Sequence, residues 1–158
     1  MAYTTIDNPE LYFQTKLYTG TGGSQSLTFD GSEDMQPDLV WIKPRSYVDN
    51  HVLIDSVRGT NKIVRSNLTN GESTLTTMLT SFDSDGFTIG ANDNVTRNSE
   101  TLVAWCWKES PTAGFDILTF TGNASGNQTI SHNLSAVPKW WNIKRLDQAS
   151  NWCTYHVG

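Results

Sequence analysis

"DLVWIKPR" fills Asp38–Arg45, and "PKWWNIKR" fills Pro138–Arg145. Both put aromatic or branched residues, the usual material of strands, ahead of an Ile-Lys pair. Pro37 stands just before the first run and Pro138 opens the second, where a residue barred from the middle of a ladder can fix strand entry. Lys43 and Lys144 are 101 positions apart (144 minus 43), as are Asn50 and Asn151. The likeness spreads outward from there. Tyr18-Thr19-Gly20 answers Phe120-Thr121-Gly122, and Gln25-Ser26-Leu27 answers Gln128-Thr129-Ile130. Such a period is too long for a solenoid or propeller repeat and suits a small domain. We therefore expect an N-terminal attachment segment at 1–16 and a β unit at 17–110. Residues 111–158 either begin a second related unit or supply strands that complete the first.

The rest of the chain speaks for strands. "QSLTFDG" alternates Leu27 and Phe29 with polar neighbours, and "HVLIDSV" is another branched run. "TSFDSDGFTIG" reads as two short strands hinged at Asp85-Gly86, a hairpin signal. "TLVAWCWK" is apolar on both parities, which predicts a central strand. "DILTFTG", "QTISH" and "NWCTYHV" read as strands too. The one helical signal is "NPELYFQ", with Asn8 as cap, Pro9 at the first position and Glu10 at the positive end of the dipole. The expected fold is all-β, an antiparallel β-sandwich with a short N-terminal helix. Its expected core and assembly residues are Phe29, Trp41, Ile42, Phe82, Phe87, Trp105, Trp107, Phe115 and Phe120. Trp41, and Trp140 or Trp141, are expected to fill the gap between sheets, with Lys43 and Lys144 pointing outward.

Charge narrows the partners. The net charge is −5 and no basic stripe appears, so nucleic acid is not an expected ligand. The longest apolar run, Leu102–Trp107, falls far short of a membrane helix, and "MAYTTIDNPELYFQ" lacks the regions of a secretory signal. Synthesis in a reducing cytoplasm is expected, with Cys106 and Cys153 as reduced thiols.

A catalytic constellation is not legible. His51, His132 and His156 form no paired spacing, no Cys-x-x-Cys occurs, and "GTGG" lacks the Lys and Ser/Thr of a phosphate loop. We expect no enzyme and no cofactor. Asp83, Asp85 and Asp93 are weak calcium candidates, because Gly86 follows the second Asp directly and breaks the EF-hand order. Trp140 and Trp141 point to opposite faces of a strand, so one of them can meet a sugar ring. Trp105 and Trp107 share one face.

Taken in order, "YFQTKLYTGTG", "DMQPDLVWIKPR", "DSVRG", "TSFDSDGFTIG" and "LVAWCWK" resemble a family of tailed-phage structural proteins of the marine cyanophage and pelagiphage type. The likeness runs from Tyr12 to His156. It implies a tail-fibre or other virion protein with a jelly-roll, laminin-G or lectin-like sandwich, and it brings no catalytic residue. Members of that family usually continue past the Asn151-Trp152 and Tyr155-His156 phrase. The expected role is a non-enzymatic virion component that mediates assembly and host attachment, as a homo-oligomer such as a trimer bound to other virion proteins. The alternative is a carbohydrate-binding, lectin-like module that contacts host surface glycans.

Overall fold

A computed structural model describes residues 6–158. The start of the expected attachment segment, residues 1–5, lies outside the described residues. The architecture is built on antiparallel sheets with almost no helix. Its centre is the strand Thr101–Trp107, here β9. On one side of it lies β1 (Phe13–Thr19), on the other β3 (Leu39–Pro44), and beyond β3 lies β4 (Val52–Asp55). Phe13 faces Trp107 and Thr19 faces Thr101, so β1 and β9 pair along their whole length. β9 is thus flanked on both sides, as its two apolar parities require.

The "NPELYFQ" helix shrinks to one 3-10 turn at Pro9–Leu11, capped by Asn8, whose side chain accepts the Glu10 N–H at 3.0 Å. Pairing to β9 takes over from Phe13 and draws the following residues into extended form. β1 therefore begins inside the segment expected to serve attachment, and residues 13–16 belong to the β unit.

A second sheet has the order β2-β8-β7, from Gln25–Leu27, Phe87–Ile89 and Leu79–Phe82. β7 and β8 join through the expected Asp85-Gly86 turn, where Asp83 N–H donates to the Gly86 carbonyl. Gly86 has φ +97, and a Cβ there would stand 2.0 Å from the Leu27 carbonyl oxygen, so only glycine fits. Val40, Ile42, Val52, Ile54, Leu102, Ala104 and Cys106 from the first sheet share one buried cluster with Leu27, Leu79, Phe87 and Ile89 from the second. Phe29, Met35 and Met78 complete its floor, and Phe82 packs against it. Two short strands, β5 (Lys62–Ile63) and β6 (Ser73–Thr74), form their own ladder. A single helical turn, α1 (Asp93–Thr96), precedes β9. Sequence periodicity pointed to none of these three, because each is too short to show a period.

Next to this ladder sits a buried ion network. Arg58 Nε and Nη2 each lie 2.6 Å from Asp55 Oδ2, and Arg58 Nη1 lies 3.2 Å from Glu72 Oε2. The Arg58 N–H also donates to Asp55 Oδ1. The Asp55 and Arg58 side chains are 5% and 8% exposed, so charge is neutralised here out of water.

The C-terminal third contains the strands β10 (Trp140–Ile143) and β11 (Cys153–His156). Trp140 pairs with His156, Trp141 with Tyr155, Asn142 with Thr154 and Ile143 with Cys153. Subtracting 101 from each number gives the register of β3 and β4: Leu39 with Asp55, Val40 with Ile54, Trp41 with Leu53, Ile42 with Val52. The repeat is therefore a repeat of pairing as well as of wording. Among the described residues this hairpin joins no larger sheet. "DILTFTG" and "QTISH", expected as strands, are not strands. In the first unit the counterpart of "DILTFTG" is β1, which is held by β9. No such strand lies beside β10 among the described residues.

An isolated hairpin is marginal in water. This one is moored by its loop. Glu72 N–H donates to Leu146 O and Ser150 N–H to Thr69 O, both at 2.8 Å. Lys144 Nζ donates to Thr69 O and Ser150 O, and Trp152 Nε1 to Arg65 O at 3.0 Å. A Cβ on Gly71 would meet Leu146 O at 2.6 Å. Gly71→Ala is therefore expected to speed amide exchange at Glu72 and Ser150 while exchange at Ala104 is unchanged. Hydrogen-exchange mass spectrometry measures both.

Candidate functional site

Successive strand residues face opposite ways. In β9 this turns Leu102, Ala104 and Cys106 into the core and leaves Val103, Trp105 and Trp107 on the outer face. In β3, Val40 and Ile42 go inward while Trp41 goes outward with Lys43. The sequence reading put Trp41 in the gap between sheets and counted Trp105 and Trp107 among the core and assembly residues. The structure corrects it: all three rings are half-buried on the face turned away from the core. Adjacent Trp41 and Ile42 cannot share a face, and Ile42 holds the inner one.

Pairing brings the rings together. Phe13 faces Trp107 across β1 and β9 with ring centroids 5.0 Å apart. Trp41 meets Trp105 edge-on at 5.9 Å and Trp107 at 6.3 Å, and Phe115 lies 6.3 Å from Trp107. Leu17 extends the patch and is more than half exposed. Phe115 aligns with Phe13, and its chain is fixed by the Ser110 N–H bond to its carbonyl. The start of the second unit thus covers one end of the aromatic face of the first.

His51 borders the same patch. Trp41 Nε1–H donates to His51 Nδ1 at 2.8 Å. Burial, helped by the Lys43 ammonium, lowers the His51 pKa below its ordinary value. A proton at Nδ1 would break the bond. The folded chain therefore binds fewer protons here than the unfolded chain, whose value is about 6.5. The stability from this pair is full above that pH and is lost as pH falls through the lowered value. In an NMR titration the Trp41 indole N–H resonance should move with a midpoint below about 6.5. His51→Phe should abolish that step.

Behind Phe115 three carboxylates hold the joint between the units. Asp38 Oδ2 accepts Glu109 N–H, and Asp38 Oδ1 accepts the Ser56 hydroxyl, both at 2.8 Å. Glu109 Oε1 accepts Ile117 N–H, and Asp116 Oδ2 accepts Asn133 N–H. Burial, then a hydrogen bond to Asp116 and the charges of Asp38 and Asp116, raises the Glu109 pKa. Partial burial opposes the fall at Asp116, yet the Asn133 N–H and Glu109 pull it down. Glu109 is the member of this pair that holds a proton more readily.

The other expected residues fall in separate places. Phe29, Ile42 and Phe87 lie in the core, Phe82 lies against it, and Phe120 is exposed. Asp83 accepts the Ser81 and Thr88 hydroxyls within its turn, while Asp93 opens α1. No group of three or more His, Cys, Asp or Glu side chains able to hold a metal occurs among the described residues. Cys106 is buried and Cys153 exposed, both as free thiols, and burial pushes the Cys106 thiol far up. Trp140 is 58% exposed, and Trp141 stacks on Tyr155 with centroids 5.3 Å apart.

A family model described as "Domain of unknown function (DUF7483)" matches residues 8–158. The chain belongs to this family. The DUF7483 match takes in β1 to β11, so both copies of the repeated hairpin lie inside one family domain. No curated protein and no solved structure matches. Sequence reasoning missed the Trp41–His51 bond and the Asp55–Arg58–Glu72 network. The three-residue spacing of Asp55 and Arg58 in "DSVRG" was the available signal for the second.

Proposed function

We propose that the chain is a non-enzymatic structural component of a tailed-bacteriophage virion, a tail-fibre, tail or capsid-attached protein that serves assembly and host attachment. The observation that carries this reading is the aromatic outer face of the four-stranded sheet. An antiparallel sheet with one face on a core normally offers polar residues to water on the other. Here Phe13, Leu17, Trp41, Trp105 and Trp107 stand there instead, in the manner of a subunit contact. The order of motifs from Tyr12 to His156, similar to phage structural proteins, supports the same reading. We take the two sheets as the halves of a jelly-roll or lectin-like sandwich, supported by their common buried cluster. We read the assembly as a trimer bound to other virion proteins. Mass spectrometry of purified virions should find the chain, and light scattering should give three times its mass. A monomer at every concentration, from a protein missing from virions, would defeat the proposal.

The exposure of Trp140 favours a second reading, a lectin-like module for host-surface glycans. Glycan-array binding that disappears in Trp140→Ala, with folding intact, supports it. An array with no signal removes it.

A further inference from the structure

The repeat says what is missing beside β10. In the first unit the inward residues of β3 and β4 are Val40, Ile42, Val52 and Ile54, all buried. Their counterparts 101 positions on are Trp141, Ile143, Cys153 and Tyr155, all exposed. Ile42 is 0% exposed and Ile143 is 39% exposed at the same place in the same register. Tyr18 of β1 is buried, while its counterpart Phe120 is exposed and its segment forms no strand. One element explains both differences. In the first unit β9 alone pairs with both β1 and β3, on the edge of β3 that β4 leaves free. By the repeat, the free edge of β10 and the segment 115–121, which forms no strand, correspond to the two sides of that same slot.

We infer that this slot is an acceptor for one antiparallel strand of β9's chemistry, donated by polypeptide outside residues 6–158. Such a strand carries small or aliphatic side chains on one face, as Leu102, Ala104 and Cys106 do, and larger apolar ones on the other. Main-chain hydrogen bonds to β10 and to 115–121 supply affinity, and the inward face formed by Trp141, Ile143 and Tyr155 supplies selection. This inference stands on the repeat and holds whether or not the chain is a virion component.

The test is a synthetic peptide with the Thr101–Lys108 sequence, Cys106→Ser and added terminal lysines, titrated against the intact chain. Hydrogen exchange at 140–143 and at 115–121 should slow about tenfold or more. A scrambled peptide should leave both unchanged, and Ala104 should not respond. Ile143→Asp, at an exposed position, should abolish the effect. Several outcomes overturn the inference. They are no protection at the highest soluble peptide concentration, protection of 140–143 without 115–121, or unimpaired binding by Ile143→Asp. Protection that grows with protein concentration alone, with a dimer mass, assigns the edge to a second copy and overturns it too.

Discussion

Asp55→Ala is expected to remove about 3–5 kcal/mol of folding stability, the cost of stranding a buried partner charge. Arg58 would then keep only Glu72 at 3.2 Å and the Leu53 carbonyl at 3.5 Å, and would lose both 2.6 Å contacts to Asp55 Oδ2. A domain of this size has about 5–15 kcal/mol in all, so the variant sits near the threshold of folding. Glu72→Gln should cost much less, since Glu72 is the more exposed partner and Asp55 remains. Chemical denaturation of the two variants measures the difference. Equal, small losses would mean that Arg58 turns to water when Asp55 is removed.

The second large effect is a contrast between matched positions. Ile42→Ala should cost about 2–5 kcal/mol, because it opens a cavity at a fully buried position. Ile143→Ala should cost under about 0.5 kcal/mol, the usual range for a surface substitution. Ile143 is 39% exposed, and its hairpin joins no larger sheet among the described residues. The two variants differ only in whether their hairpin belongs to a completed unit. Similar losses from both would show that β10 and β11 are packed as deeply as β3 and β4. Thermal unfolding followed by near-ultraviolet circular dichroism reports both.

Much of this was legible in the residues. Pattern and composition led to antiparallel sheets, the Asp85-Gly86 turn and the central place of β9. The phrase around Ile-Lys led to the repeat. What misled was residue size. The large indole of Trp41 was assigned to the gap between sheets because such a ring buries the most area. Alternation, applied to Trp41 as it was to Lys43, already places that ring outside. The strand signals in "DILTFTG" and "QTISH" were local, and a strand needs a neighbour to hold its backbone groups. Within the described residues these segments have none, so their pattern gives no ladder. The mooring of the hairpin on residues 65–72 could not be read at all. It rests mostly on backbone carbonyls, which every sequence has.

The central claim is one complete β unit followed by a partial copy that lacks its central strand. Residue-resolved hydrogen exchange on the unmodified chain tests it most directly. Leu102–Cys106 and Val40–Ile42 should exchange only through global unfolding, while 118–121 should exchange at nearly the rate of unstructured peptide and 140–143 between the two. Slow exchange at 118–121, equal to that of β1, would contradict the claim, because it would show the copy already closed.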